Sequence, residues 1–317
     1  MRNLGKLAVL GITALGLALA GPQDNSLVIG ASQEPRVLAG DFLSVISNQA
    51  IKSEIEQYLF APFIGFNADS QNFPVLATEV PTLENGRLRV TDIGGGKKRL
   101  EMDITIRPDA KWSDGRPITT EDVAFYFEVG KAKGMPVLNP DFWERVNVRI
   151  KDARNFTLIF EPAYYYDTYG PINTYAPKHI MGPEWERVKA AARGLDPQKD
   201  AEKLNELYRN FFIKFSTPQA LNRGAMVYSG PFMLRRWVPG NSIEMVRNPN
   251  FPIKPEGGES KYVQKVVYRF IQNTNSLLVA VIGGSIDATS SVSLTFDQGR
   301  SPQLVRRAPG RFDIWFV

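Results

Sequence analysis

Acid–base chemistry near neutrality needs a histidine, a reactive thiol, or carboxylates displaced from their ordinary range. The sequence holds one histidine, His179, and no cysteine. His179 stands in Ala-Pro-Lys-His-Ile, where a surface or helix-capping role fits better than that of a general base. A catalytic triad would have to use it, and a metal site built on His and Cys cannot be assembled. Adjacent acids such as Glu121 and Asp122 fall in the first turn of a predicted helix, where carboxylates complement the helix dipole. The remaining chemistry is recognition. Tyr164, Tyr165, Tyr166, Tyr169 and Tyr175 cluster downstream of Phe142 and Trp143. Tyr joins a flat apolar body to a polar tip, which suits a cleft that grips a partly polar ligand. About half of these tyrosines are expected to pack in the core instead.

Strands and helices must position these residues. Leu100, Met102, Ile104 and Ile106 alternate and predict a strand that stops at Pro108. Upstream, Asn85-Gly86 and the triple glycine Gly94–Gly96 suit consecutive β-hairpins, and the glycine run lacks the Gly-Lys-Ser/Thr ending of a phosphate loop. In "KWSDGRPITTEDVAFYFE", Asp114-Gly115 turns the chain and Thr119 caps a helix with Asp122 at the capping-box position. Val123, Ala124 and Phe127 are its buried stripe. A second strand pair follows, with Val146, Val148 and Ile150 alternating before Asn155 and Phe156, Leu158 and Phe160 after it. A charged helical region from Glu184 to Phe215 breaks at Gly194–Pro197. A hairpin turns at Pro239-Gly240-Asn241, and Tyr262 to Gln272 reads as a further strand.

With 317 residues, 43% hydrophobic and 22% charged, the chain has globular composition and length for about two domains. Residues 1–20 differ: Arg2 and Lys6 precede an apolar run from Leu7 to Leu19, and Ala18-Leu19-Ala20 supplies a signal-peptidase site. The run is shorter than the roughly 20 residues that span a bilayer, so a secretion signal is expected rather than an anchor. Removing Arg2 and Lys6 from the 38 basic residues leaves 36 against 33 acidic ones. That scattered excess gives no reason to expect nucleic acid as a partner. Absence of cysteine excludes disulfides, thiol catalysis and a lipid-modified Cys anchor.

Several segments together resemble one family: "KWSDGRPITTEDVAFYFE", "LIFEPAYYYDTYG", "INTYAPKHI", "YSGPFMLRRWVPGNSIEMVRNPNF" and "LLVAVIGGSIDA". In this order they are similar to the extracellular solute-binding proteins of family 5, the peptide-, oligosaccharide- and nickel-binding receptors of ABC importers. The resemblance runs from about Leu27 to Asp287. It implies an α/β fold, a two-lobed periplasmic binding protein of type II, with lobe I nearly complete and lobe II truncated. The implied division is a signal at 1–20, lobe I at 21–262, and the start of lobe II at 263–317. The family's chains run longer, and "RFDIWFV" reads as an apolar strand with nothing to close it, so an N-terminal fragment is expected.

The resemblance also implies a ligand. Ser44, Ser47 and Asn48, in the loop after the first strand, are candidate polar contacts, and Phe142, Trp143, Tyr169 and Asn173 fall near other cleft-facing segments. The family's frequent Leu-Asp-Pro in that loop is replaced here by Val37-Leu38-Ala39-Gly40-Asp41. Trp112, Gly115, Gly230 and Pro231 are expected to be structural. No cofactor, metal or catalytic residue is expected. The expected protein is an exported monomer in the periplasm or cell envelope that binds an oligopeptide and passes it to permease subunits. An oligosaccharide, stacked on Trp and Tyr, is the alternative ligand. From a different class, a secreted hydrolase would need two displaced carboxylates facing each other across the Tyr-rich cleft.

Overall fold

A computed structural model describes residues 25–67, 69–167, 176–254, 262–306 and 313, apart from the side chains of Tyr166 and Gln303. The expected signal, Tyr169, Asn173 and all but one residue of the terminal "RFDIWFV" lie outside the described residues. The first half of the described chain runs β1 (Ser26–Ala31), α1 (Ala50–Leu59), β2 (Ile64–Phe66), β3 (Asn72–Pro74), β4 (Leu88–Asp92), β5 (Lys98–Thr105), α2 (Thr120–Gly130), α3 (Pro140–Arg145), β6 (Val146–Ile150) and β7 (Asn155–Phe160). It continues through α4 (Lys178–Ala192), α5 (Ala201–Ser216), α6 (Pro218–Asn222), β8 (Phe232–Val238), β9 (Ser242–Arg247), β10 (Lys265–Phe270), α7 (Thr274–Gly283), β11 (Ala288–Thr289), α8 (Phe296–Gly299) and α9 (Pro302–Val305).

The alternating stretches build an antiparallel sheet of order β4-β5-β7-β6. Leu100, Met102 and Ile104 on β5 and Phe156, Leu158 and Phe160 on β7 turn to one face and are all buried. In register, Met102 opposes Leu158 and Ile104 opposes Phe156. Gly94, Gly95 and Gly96, all at positive φ, make the β4–β5 turn, so the triple glycine is a hairpin. Asn85-Gly86 also turns the chain, but it leads into β4 instead of joining two paired strands. There, the Asn85 Oδ1 accepts the Thr82 and Arg87 amides.

Thr119 caps α2 as its spacing predicts: its side chain accepts from the Glu121 amide, and the Asp122 carboxylate reciprocally accepts from the Thr119 amide. Asp122 does more than cap. Its Oδ2 accepts the Trp112 indole N–H at 3.2 Å, and its Oδ1 accepts the Lys178 amide at 2.9 Å, tying α2 to the start of α4. Burial pushes this carboxyl up from the ordinary range. Gly115 turns at φ +88°, and a Cβ at Gly230 would lie 2.6 Å from the Leu59–Phe60 backbone. Both glycines and the buried Trp112 are structural.

The second sheet has the order β11-β1-β10-β9-β8. β1 lies parallel to both β10 and β11, whereas β10, β9 and β8 are antiparallel. The division expected after residue 262 falls just before β10. Lys265–Phe270 pairs with Ser26–Ala31 along its whole length. Strands as late as Ala288–Thr289 therefore share the sheet of the first strand, and Leu277 of α7 packs with Val28 and Ile286. One apolar core runs from Ile29 through both sheets to Phe270.

Candidate functional site

In open sheets, ligands meet loops at the carboxyl ends of parallel strands. β1 is the parallel strand flanked on both sides, and its carboxyl end leads into residues 32–49. This loop is unusually constrained for an irregular segment. Glu34 accepts the Trp237 indole N–H and the Gly240 amide, each at 2.8 Å. Ala39 and Ser44 stand at φ +61° and +55°, backbone that side chains rarely adopt. A Cβ at Gly40 would overlap Phe215, so only glycine allows the loop to lie this close to α5.

Three ionisable groups hold the loop from beneath. Asp41 accepts the amides of Val45, Ile46 and Ser47 at 2.8 to 3.2 Å. Lys52, on the buried side of α1, donates to the Asp41 carbonyl at 2.8 Å and to the Ser44 hydroxyl at 3.2 Å. Its ammonium lies 3.7 Å from the Asp41 carboxylate and 3.6 Å from that of Glu56. Glu56 in turn accepts the Ala39 amide at 2.9 Å. The exposures of Asp41, Lys52 and Glu56 are 0, 2 and 4%. Burial, only partly offset by Lys52, pushes Glu56 up to about 7 and raises Asp41 from its ordinary value.

Opposite the loop stands α3. Asn139 caps it by accepting the Phe142 amide, and Pro140 starts its first turn, where a missing N–H costs nothing. Trp143 then lies across Gly130, where any Cβ would overlap its ring. Phe42, Tyr126, Trp143 and Phe142 form a continuous run of ring contacts with centroids 5.3 to 5.5 Å apart. Arg145 is buried at the end of α3. It donates to Asp167 at 2.7 Å, to Asp141 at 2.8 Å and to the Pro162 carbonyl at 2.9 Å, beneath the Tyr164 ring. Burial opposes its charge, but the two carboxylates outweigh that and hold its pKa above the usual guanidinium value.

Between loop and helix lies a pocket of about 260 Å³, lined by Phe42, Leu43, Ser44, Tyr126, Asn139, Phe142, Trp143 and the Arg145–Asp167 pair. It offers aromatic walls, the Ser44 hydroxyl, the Asn139 amide and the Arg145–Asp167 ion pair, a surface suited to a partly apolar, hydrogen-bonding guest. Of the residues singled out in the sequence, Ser44, Phe142 and Trp143 meet here. Ser47 is buried and its hydroxyl donates to Gln49, while Asn48 is exposed; neither lines this pocket. Tyr164 and Tyr165 are exposed.

A larger groove of about 540 Å³ runs between α2 and α4. Along it Lys178 pairs with Glu121 at 3.0 Å, and His179 Nε2 lies 2.8 Å from the Asp114 carboxylate. The partner of His179 is thus the Asp114 carboxylate. Among the described residues no group of three or more His, Cys, Asp or Glu could hold a metal. The raised carboxyls Asp41 and Glu56 are buried under the loop, and Asp122, which lines this groove, is also raised by burial and accepts from the Thr119 and Lys178 amides and the Trp112 indole.

The profile of the bacterial extracellular solute-binding proteins, family 5 Middle, matches residues 97–308. An oligopeptide binding protein from Thermus thermophilus, whose crystal structure is complexed with a pentapeptide, is 97% identical and superposes with a TM-score of 0.92. The match covers 94% of this chain and 50% of that one. The oligopeptide-binding protein AppA of Bacillus subtilis is 23% identical over 270 residues, 84% of this chain and 40% of AppA. Its structure, with a nonapeptide, superposes with a TM-score of 0.56 at 20% identity over 83% of this chain and 43% of AppA, a likeness of fold. A probable ABC transporter-binding protein of Deinococcus radiodurans is 27% identical over 203 residues, 61% of this chain and 30% of that one. The chain therefore spans half or less of the length of these relatives.

Proposed function

Because the chain belongs to the bacterial extracellular solute-binding proteins of family 5, we propose that it is the binding receptor of an ABC importer and that it captures oligopeptides. The fold is the mixed α/β fold of the two-lobed periplasmic binding proteins. The observation that carries the ligand class is the 97% identity to an oligopeptide binding protein seen with a pentapeptide.

The pocket between residues 42–44 and α3 is consistent with this reading. An extended peptide presents alternating side chains to pockets of its host while its backbone finds polar partners. Ser44, Phe142 and Trp143 are the proposed contacts among the described residues, with Tyr169 and Asn173 proposed from the family resemblance alone. Family members are binding proteins, and a non-catalytic role agrees with the placement of Asp41 and Glu56 beneath the loop. Delivery to permease subunits, export through the 1–20 segment and action as a monomer belong to the same proposal. Among the described residues, no helix is long and apolar enough to cross a membrane.

Native mass spectrometry of the protein purified from its own cells tests this. Co-purifying peptides of mixed sequence are the expected result. A retained oligosaccharide would transfer the reading to the sugar receptors of the family, and a protein that retains nothing and takes up no pentapeptide from a randomised pool would end it.

A further inference from the structure

Lys52 is the buried lysine among the described residues, and its surroundings ask for more than charge balance. An ammonium has three donors. Two of them leave the carboxylates aside and reach the loop: the Asp41 carbonyl at 2.8 Å and the Ser44 hydroxyl at 3.2 Å. The carboxylates of Asp41 and Glu56 are farther, at 3.7 and 3.6 Å. Each loop partner is itself placed to matter. Asp41 gathers the three amides that follow Ser44. Ser44 lines the pocket and stands at φ +55°, a conformation that needs support from its neighbours.

We propose that Lys52 is the positioning residue of the pocket, its buried ammonium setting the conformation of residues 41–47 and so the wall that a bound peptide meets. This rests on the peptide-receptor reading. Lys52 does not touch the ligand. It acts through Ser44 and through the carbonyl of Asp41, and Phe42 and Leu43 between them follow.

Charge balance and positioning separate in a double variant. Lys52→Met alone leaves two buried carboxyls without a cation and threatens folding. Lys52→Met with Glu56→Gln leaves one carboxylate, Asp41, still held by its three amides, and a glutamine oxygen that still accepts from Ala39. The two bonds from Lys52 to the loop are gone. Ser44→Ala deletes one of those bonds without removing a buried charge.

The full-length protein is titrated with a randomised pentapeptide pool, read by tryptophan fluorescence. Hydrogen exchange of the Val45, Ile46 and Ser47 amides is measured without ligand. The double variant, which keeps the buried Asp41 carboxyl without its cation, is expected to melt below the wild type; titrated at a temperature where both are folded, it should retain the pool at least about tenfold more weakly, a loss of about 1.4 kcal/mol. Its 45–47 amides exchange faster, with a smaller acceleration in Ser44→Ala. Wild-type retention and exchange in the double variant would overturn the proposal and leave Lys52 as a counter-ion. If the wild type itself retains no pentapeptide, the peptide reading fails, while exchange still decides the positioning role: acceleration supports it and no change overturns it.

Discussion

Two clusters of the same residue types sit in this molecule with opposite consequences. Beneath the loop, Asp41, Lys52 and Glu56 are sealed from water, and both carboxyls are pushed up. On the outer face of the four-stranded sheet, Arg89, Glu101, Asp103, Arg149 and Lys151 form a ladder of ion pairs at 2.7 to 3.3 Å. There, partial burial of Asp103 is outweighed by hydrogen bonds from Arg89, Lys151 and Thr157, and its carboxyl falls well below the usual range. Glu101 is lowered in the same way. Two differences set the sign. The ladder has three cations for two acids and keeps contact with water, whereas the buried cluster has one cation for two acids and none. The buried cluster bonds residues 39–47, whereas the ladder lies on the face of a sheet.

The comparison is broken most severely by Lys52→Met, which strips the buried acids of their cation. A loss of about 3–5 kcal/mol at pH 8 is expected from chemical denaturation. A change near zero would mean that water reaches the cluster.

Glu56→Gln sharpens the same contrast. The folded carboxyl titrates at about 7, above its ordinary 4.5, so the native state holds a proton that the unfolded chain has released. Stability from this group is full below pH 4.5 and is lost as pH rises to about 7. Integrated over the window, the loss is on the order of 3 kcal/mol. Denaturation at pH 5 and pH 8 should show a downward step in the wild type that the glutamine variant lacks. An unchanged step in Glu56→Gln would assign the proton elsewhere, with Asp41 the next candidate.

The smallest effect belongs to the ladder. Lys151→Ala should cost no more than about 1 kcal/mol, shrinking further in 1 M salt, because its partner Asp103 keeps Arg89 and the pair is screened by water. A salt-independent loss of several kcal/mol would place this face under a partner that excludes solvent.

The pieces legible in the amino-acid sequence are those whose causes are local. Alternation on β5 and β7, the Gly94–Gly96 hairpin, the Thr119–Asp122 capping box and the Pro239–Asn241 hairpin all follow from interactions spanning a few residues. Family resemblance singled out Ser44, Phe142 and Trp143, which line one pocket, and also Ser47 and Asn48, which do not line it. Contacts between distant segments decided the rest. Lys52 and Glu56 have the i,i+4 spacing of a solvated helix pair, and only the fold of residues 37–47 over α1 buries them. Ser26–Ala31 and Lys265–Phe270 are more than 230 residues apart along the chain, and nothing local in either strand announces that they pair in parallel. The 260 Å³ pocket likewise exists only because residues 42–44, Tyr126, α3 and Asp167 converge. Periodicity and capping act at short range and can be read along a chain, whereas burial, and the pKa shifts it causes, depend on which distant segments close over a side chain.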